Sequence, residues 1–322
     1  MKIVFFETNK EEKILRELLP EAETVFVDEK LSLENIALAK DAEIISVFVN
    51  SEINKEILDL LPNLQLITSR STGFDHIDYK YAKDKNINVC NVPAYGSRTV
   101  AEHAFGLLLE LSRKIGEANR QIKEKNDFGI PIKSFEGFDL SGKTIGVIGT
   151  GKIGKNSCRI AKGFNMRVLA TDLYPDQSFA EETGIEYVPL TMLLSDSDIV
   201  TVHTPYNETT HHLINKENIK EFKKGAYLIN TARGEIVETE ALVSGLKEKI
   251  LAGAGLDVLE GERKLKSDGK ISSPNLELVK MPNVVMTPHI AFYTKEAVAE
   301  ILKVTAENIK GYMAGNLINL VK

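Results

Sequence analysis

The chain has 322 residues, is 43% hydrophobic and 27% charged, and carries a net charge of −6. That length suits about two domains, the composition is that of an ordinary globular protein, and the acidic balance argues against a nucleic-acid surface. No apolar run approaches the roughly 18 residues that cross a membrane, and the two cysteines, Cys90 and Cys158, give neither metal-ligand spacing nor a disulfide framework.

The first ten residues turn polar too early to read as a signal peptide. With each cysteine read as a small core residue, a cytoplasmic setting without a metal is expected. Strand-like apolar runs follow at 2–6, 24–27, 43–49, 64–68 and 87–92, the last stopped by Pro93, and a helical stretch covers 10–19. Strands spaced by helix-length intervals predict a parallel, doubly wound sheet with helices on both faces. A long helix is expected over 99–118, with Ser97 as its N-cap and Ala101, Ala104, Phe105, Leu107, Leu108 and Leu111 on one face. Further strands are expected at 144–148, 166–171, 199–202, 226–230, 253–257 and 284–286, and a closing helix at 294–313. If that helix returns to the first sheet, the first domain is discontinuous: residues 1–98 and 293–322 surround a second domain over 99–292. The polar stretch 261–273 reads as an exposed loop.

The most informative segment runs from Thr144 to Gly154. A short buried strand enters the G-x-G-x-x-G turn formed by Gly149, Gly151 and Gly154, and Asp172 ends the next apolar run. This is the pattern of a dinucleotide-binding βαβ unit. Gly149 permits the tight turn, Gly151 lets backbone approach a pyrophosphate, and Gly154 lets the helix pack closely. The helix N-terminus offers free N–H groups to the phosphates. Asp172 would accept ribose hydroxyls and repel a 2′-phosphate, which favours NAD over NADP.

Three later strand ends carry candidate chemistry. Arg233, in Asn230-Thr231-Ala232-Arg233-Gly234, can clamp a carboxylate and a carbonyl oxygen with its planar fork. Asp257, Glu260 and Glu262 follow a second strand, and His289 follows a third. A histidine and a carboxylate near strand ends suggest a proton-transfer pair. Spacing alone leaves Glu260 and Glu262 both open as the carboxylate. His203, at another strand end, lies near the expected cofactor.

In order and spacing, these segments resemble the D-isomer-specific 2-hydroxyacid dehydrogenases over nearly the whole chain. The resemblance rests on Gly149-Thr150-Gly151-Lys152-Ile153-Gly154, His203-Thr204-Pro205, Asn230-Thr231-Ala232-Arg233-Gly234, Ala252-Gly253-Ala254-Gly255-Leu256-Asp257-Val258 and Thr287-Pro288-His289. It implies an α/β fold of two Rossmann-like domains, one flavodoxin-like and one NAD-binding, each a doubly wound parallel sheet, with a cleft between them. It implies Arg233 as the substrate-binding arginine, His289 as the acid/base and Glu262, rather than Glu260, as its partner. Asp257 fits the aspartate beside the nicotinamide, and Lys152, Ile153, Thr231 and Ala232 fall with the cofactor segments. In the first domain Thr72 and Gly73 resemble the loop whose amides hold the substrate carboxylate.

Tyr95, Phe292 and Tyr293 look like the aromatic residues that border the substrate in the D-lactate dehydrogenase branch. With Phe48 they suggest a pocket for a small or medium apolar side chain. The resemblance implies NAD-dependent reduction of a small 2-oxo acid, pyruvate above 2-oxoisocaproate or phenylpyruvate, by a homodimer with no nucleic-acid or membrane partner. An NAD-sensing corepressor-like binding protein is the alternative from a different class.

Overall fold

The structure, a computed structural model, describes residues 1–8, 10–262 and 273–321. The chain divides into two compact units, Met1–Tyr95 with Thr294–Lys322, and Gly96–Tyr293. The expected polar loop after Glu262 lies outside the described residues.

The first unit carries β1 (Lys2–Phe6), β2 (Glu23–Val27), β3 (Ile44–Val47), β4 (Leu66–Ser69) and β5 (Asn88–Cys90), all parallel, in the order β2-β1-β3-β4-β5. This is the flavodoxin-like order, whose direction of winding reverses between β1 and β3. Helices α1 (Glu12–Leu18), α2 (Lys55–Asp59) and α3 (Tyr79–Asp84) and the C-terminal helix Lys295–Met313 cover it. Strand alternation divides the core between the faces. Val4 and Phe6 pack with Val47 and Ile67, whereas Ile3 and Phe5 pack with Leu302, Ala306 and Ile309 of the C-terminal helix. Both faces are buried, so β1 reads as an unbroken apolar run instead of an alternating one. Each such side chain contributes roughly 1.5–3 kcal/mol by leaving water. Thr294 caps the C-terminal helix by accepting the Ala297 amide.

The second unit begins with α4 (Ser97–Arg113) and α5 (Ile115–Lys125). The expected single helix over 99–118 is therefore two. Lys114 turns left-handed at φ 52°, and its amide bonds the Glu110 carbonyl at 2.7 Å. The Glu110 carboxylate then accepts the Gly116 amide, which ends one helix and aims the next. Ser97 is the first helical residue and not the N-cap, a position held by Gly96 without a side-chain bond.

Seven parallel strands follow: β6 (Thr144–Ile148), β7 (Arg167–Thr171), β8 (Glu186–Tyr187), β9 (Ile199–Val202), β10 (Ala226–Asn230), β11 (Leu251–Leu256) and β12 (Val284–Met286). Their order is β12-β11-β10-β9-β6-β7-β8, the dinucleotide-binding order with one added edge strand. Two-residue β8 has no apolar run and gave no signal in the sequence. Helix α4 lays Ala104, Phe105, Leu107 and Leu108 into the core beside Ile145 and Val147. Gly255 of β11 lets α4 approach, since a Cβ there would stand 3.0 Å from Leu107 Cβ. Between β6 and β7 lies α6 (Lys152–Gly163); α7 (Gln177–Thr183), α8 (Leu190–Asp196), α9 (Thr239–Lys247) and α10 (Ser273–Lys280) complete the layers. Cys90 and Cys158 are unbridged and buried; burial pushes their thiols up to about 11 and about 12, so both stay protonated.

Candidate active site

The glycine-rich turn leaves β6, at the reversal between β6 and β9. Gly149 has φ 89°, and a Cβ there would stand 2.8 Å from the Thr204 amide nitrogen. Gly154 presses on the turn, with its would-be Cβ 1.9 Å from the Gly149 carbonyl oxygen. Gly151 is the N-cap of α6, has no side-chain cap, and has nothing within 4 Å of its would-be Cβ. Lys152 and Ile153 open the helix behind it. Free amides, a helix dipole and an open approach fit a pyrophosphate. Thr231 adds a second sign of fit: its hydroxyl is buried with no hydrogen-bond partner among the described residues. Ala232 is tied down by the Asn230 carboxamide, whose oxygen accepts the Ala232 amide at 3.0 Å.

Asp172 ends β7. Its carboxylate accepts the Thr150 amide (2.6 Å), the Thr150 hydroxyl (3.0 Å) and the Tyr174 amide (2.9 Å). Burial raises its pKa, but these bonds outweigh it, and the group stays below the usual carboxylate range. Asp172 thus builds the glycine-rich turn as well as bearing charge beside it.

His203 is committed elsewhere. Its Nε2 lies 2.9 Å from Ser157 Oγ on α6 and 3.0 Å from Thr201 Oγ1. Burial pushes its pKa down to about 4, so the ring is neutral. The backbone of His203 and Thr204 abuts the glycine-rich turn at Gly149.

Arg233 follows β10, Asp257 follows β11 and His289 follows β12, three neighbouring strands with carboxyl ends on one edge. Asn230 Nδ2 donates to the Arg233 carbonyl at 2.8 Å. Gly234 then lets this loop touch the next, since a Cβ there would stand 2.0 Å from the Leu259 carbonyl carbon and 2.2 Å from the Glu260 nitrogen.

The two acids that spacing left open each have a histidine. His289 Nδ1 lies 2.5 Å from Glu262 Oε1. Glu260 Oε1 lies 2.7 Å from His212 Nε2, and Glu260 Oε2 accepts the amide and hydroxyl of Thr239. Burial raises the Glu260 pKa, but His212 and Thr239 together hold it below the ordinary carboxylate value.

Asp257 braces the histidine loop. It is 1% exposed, and its carboxylate accepts the Thr287 hydroxyl (2.5 Å) and the amides of Ile290 (2.9 Å) and Ala291 (2.8 Å). The resemblance pointed to Asp257, but nothing in the sequence marked this bracing or the partners Thr287, Asn230, His212 and Thr239. The glycine after Arg233 was the available signal that two loops meet.

In the first unit, Thr72 Oγ1 donates to the Val92 carbonyl and Asn91 Nδ2 to the Thr72 carbonyl, each at 2.8 Å. Ser71 Oγ donates to the Gly73 carbonyl at 2.6 Å. No backbone carbonyl among the described residues takes the Thr72 or Gly73 amide. Tyr95 is half-buried at the end of this unit. Phe292 and Tyr293 end the second unit in an edge-to-face pair, with centroids 5.8 Å apart; Phe292 is half-buried and Tyr293 is 69% exposed, outside any core.

The glycine-rich turn, the winding order and the braced His–Glu pair define a nicotinamide-dependent oxidoreductase. Residues 105–291 match the D-isomer specific 2-hydroxyacid dehydrogenase NAD binding domain. The D-lactate dehydrogenase of Escherichia coli is 35% identical, over 98% of both chains. The glyoxylate reductase of Korarchaeum cryptofilum is 37% identical, over 88% of this chain and 85% of its own. A crystal structure of Aquifex aeolicus D-lactate dehydrogenase complexed with NAD and lactic acid superposes with a TM-score of 0.89 at 36% identity, covering 98% of this chain and 96% of that one. The chain belongs to the D-isomer specific 2-hydroxyacid dehydrogenase family.

Proposed function

We propose that this chain reduces pyruvate to D-lactate, reversibly, and that Arg233, Glu262 and His289 carry the reaction. The observation that carries this reading is the 2.5 Å His289–Glu262 pair. An ionised carboxylate has no proton to give, so Nδ1 bears one and Nε2 is left for the substrate. NAD, when bound, supplies or takes the hydride. As the imidazolium, with Nδ1–H on Glu262, His289 gives its Nε2 proton to the carbonyl oxygen as negative charge builds there and is left as the neutral Nδ1–H ring; in the reverse direction that ring takes the hydroxyl proton back on Nε2. Arg233 holds the substrate carboxylate and polarises the ketone. In the first unit, the amides of Thr72 and Gly73 have the proposed role of holding a substrate carboxylate.

Pyruvate is favoured by end-to-end similarity to D-lactate dehydrogenases and by the Phe292–Tyr293 pair, which suits a small aliphatic substituent. Glyoxylate is the competing substrate that the relatives raise. Measuring kcat/KM for pyruvate, glyoxylate, 2-oxobutyrate, 2-oxoisocaproate and phenylpyruvate tests the reading. A preference for any acid but pyruvate overturns it, and tight NADH binding without turnover of any acid favours the sensing protein.

The same proposal makes the working form a cytoplasmic homodimer. Helix α5 buries no residue, and Phe128 and Ile132 beyond it are 89% and 84% exposed, which suits burial by a second copy. Light scattering at micromolar concentration tests this, and a monomer overturns it.

A further inference from the structure

The flavodoxin-like unit has its own winding reversal, between β1 and β3, and ligands in such sheets bind outside the strand ends beside it. Here that place is filled by a side chain. Glu7, just after β1, is 7% exposed and sits in the left-handed region at φ 58°, a costly conformation for a residue with a Cβ. Its carboxylate accepts the amides of Phe48 (3.2 Å), Asn50 (3.0 Å) and Ser51 (3.0 Å), the Asn50 carboxamide (2.9 Å) and the Ser51 hydroxyl. Successive backbone N–H groups aimed at one point form an anion nest, and Glu7 is the anion built into it.

The backbone carbonyl of Glu7 is held as well. Arg70, fully buried at the end of β4, donates to the carbonyls of Phe6 (2.5 Å) and Glu7 (2.8 Å) and to Ser46 Oγ (3.0 Å). Arg70 Nε lies 3.3 Å from Glu11 Oε2, in an ion pair without hydrogen-bond alignment. The residues after Arg70 are Ser71, Thr72 and Gly73. One cluster therefore clamps the loop after β3 and the loop after β4 to the end of β1.

We infer that Glu7 and Arg70 are positioning residues for substrate selectivity: they fix the Phe48–Ser51 loop and the Thr72–Gly73 amides in register with each other. The inference rests on the proposed role of Thr72 and Gly73 in holding the substrate carboxylate. Neither residue enters the chemistry. Glu7→Gln keeps the size of the side chain but turns an NH2 group toward donors, so the Phe48–Ser51 loop must shift.

The test is steady-state kinetics of the full chain with the same five 2-oxo acids, for wild type, Glu7→Gln and Ser51→Ala. In Glu7→Gln the expected KM for the preferred acid rises about tenfold, the ranking of the acids narrows, and kcat stays within about threefold. The KM for NADH stays unchanged. Ser51→Ala, which removes one donor to Glu7 and with it the acceptor of the Leu31 amide, moves KM the same way by about twofold to threefold and decides the matter if Glu7→Gln does not fold. Unchanged KM values and ranking, with only a lower melting temperature, would overturn the inference. If the wild type reduces none of the acids, the proposed function fails. Amide exchange at Phe48–Ser51 then still reads the clamp: faster exchange in Glu7→Gln supports it and equal exchange overturns it.

Discussion

Asp257 holds the backbone of His289 from two sides, and the Thr287 carbonyl shares the His289 amide at 3.0 Å. The His289 amide donates to the Asp257 carbonyl at 2.8 Å, and the Asp257 carboxylate takes the next two amides. His289 itself sits left-handed at φ 59°, a conformation that costs free energy unless the surroundings enforce it. Asp257→Asn must turn an NH2 group toward one of those amides. The expected result is a kcat about 10–100-fold lower with the KM for NADH little changed, together with about 1–3 kcal/mol less stability in urea. Wild-type turnover in the variant would remove Asp257 from this role.

Removing the acid/base should spare cofactor binding. General acid catalysis contributes about 10²–10⁴-fold, so His289→Gln should lose that much in kcat while NADH still binds, as read by fluorescence titration. Near-normal pyruvate reduction by His289→Gln would refute the proton-transfer role.

The glycine-rich turn separates folding from binding. Gly154→Ala drives a Cβ into the backbone carbonyl of Gly149, which has nowhere to move, and should give misfolded or strongly destabilised protein. Gly151→Ala meets open space at an ordinary φ of −65° and should fold like the wild type, yet bind NADH at least tenfold more weakly. Calorimetry and a melting curve on each variant check the pair, and equal NADH affinity in Gly151→Ala would count against the pyrophosphate reading.

Charge beside that turn should select the cofactor. Asp172→Ser removes the carboxylate facing a 2′-phosphate and is expected to raise the NADPH to NADH ratio of kcat/KM at least tenfold. Part of the loss with NADH will come from the turn, because Thr150 and Tyr174 lose their acceptor. An unchanged ratio places selection elsewhere.

Acid should weaken the fold through His203. Burial lowers its pKa from 6.5 to about 4, so between those values the unfolded chain binds a proton that the folded chain refuses. The stability from the buried neutral ring is complete above 6.5 and is lost as pH falls toward 4. Between pH 7.5 and pH 5 the loss from this residue is about 2 kcal/mol. Urea denaturation of the wild type and His203→Gln at both pH values should show a smaller gap in the variant, and an equal gap would exclude His203 as its source.

Both sheets are legible because most strands are short, largely apolar runs, as β1 and β12 show, and because the β6 turn carries Gly149 and Gly154 where backbone approaches closely. The break at Lys114 was hidden, because it depends on Glu110 reaching back to the Gly116 amide across a face that looks uniformly helical. Glu260 and Glu262 are indistinguishable by spacing because they lie two residues apart in one loop; the resemblance implies Glu262, and the three-dimensional partners, His212 for Glu260 and His289 for Glu262, set the two apart. The clamp around Glu7 had no local signature, since its donors come from residues more than forty positions away.

The contact made through Gly234 limits how such a protein can diversify. With the arginine loop resting on the Leu259–Glu260 backbone, any drift in anion recognition drags the glutamate loop along with it. If Arg233 and His289 have the proposed roles, each adjustment around the guanidinium would also be felt by the imidazole.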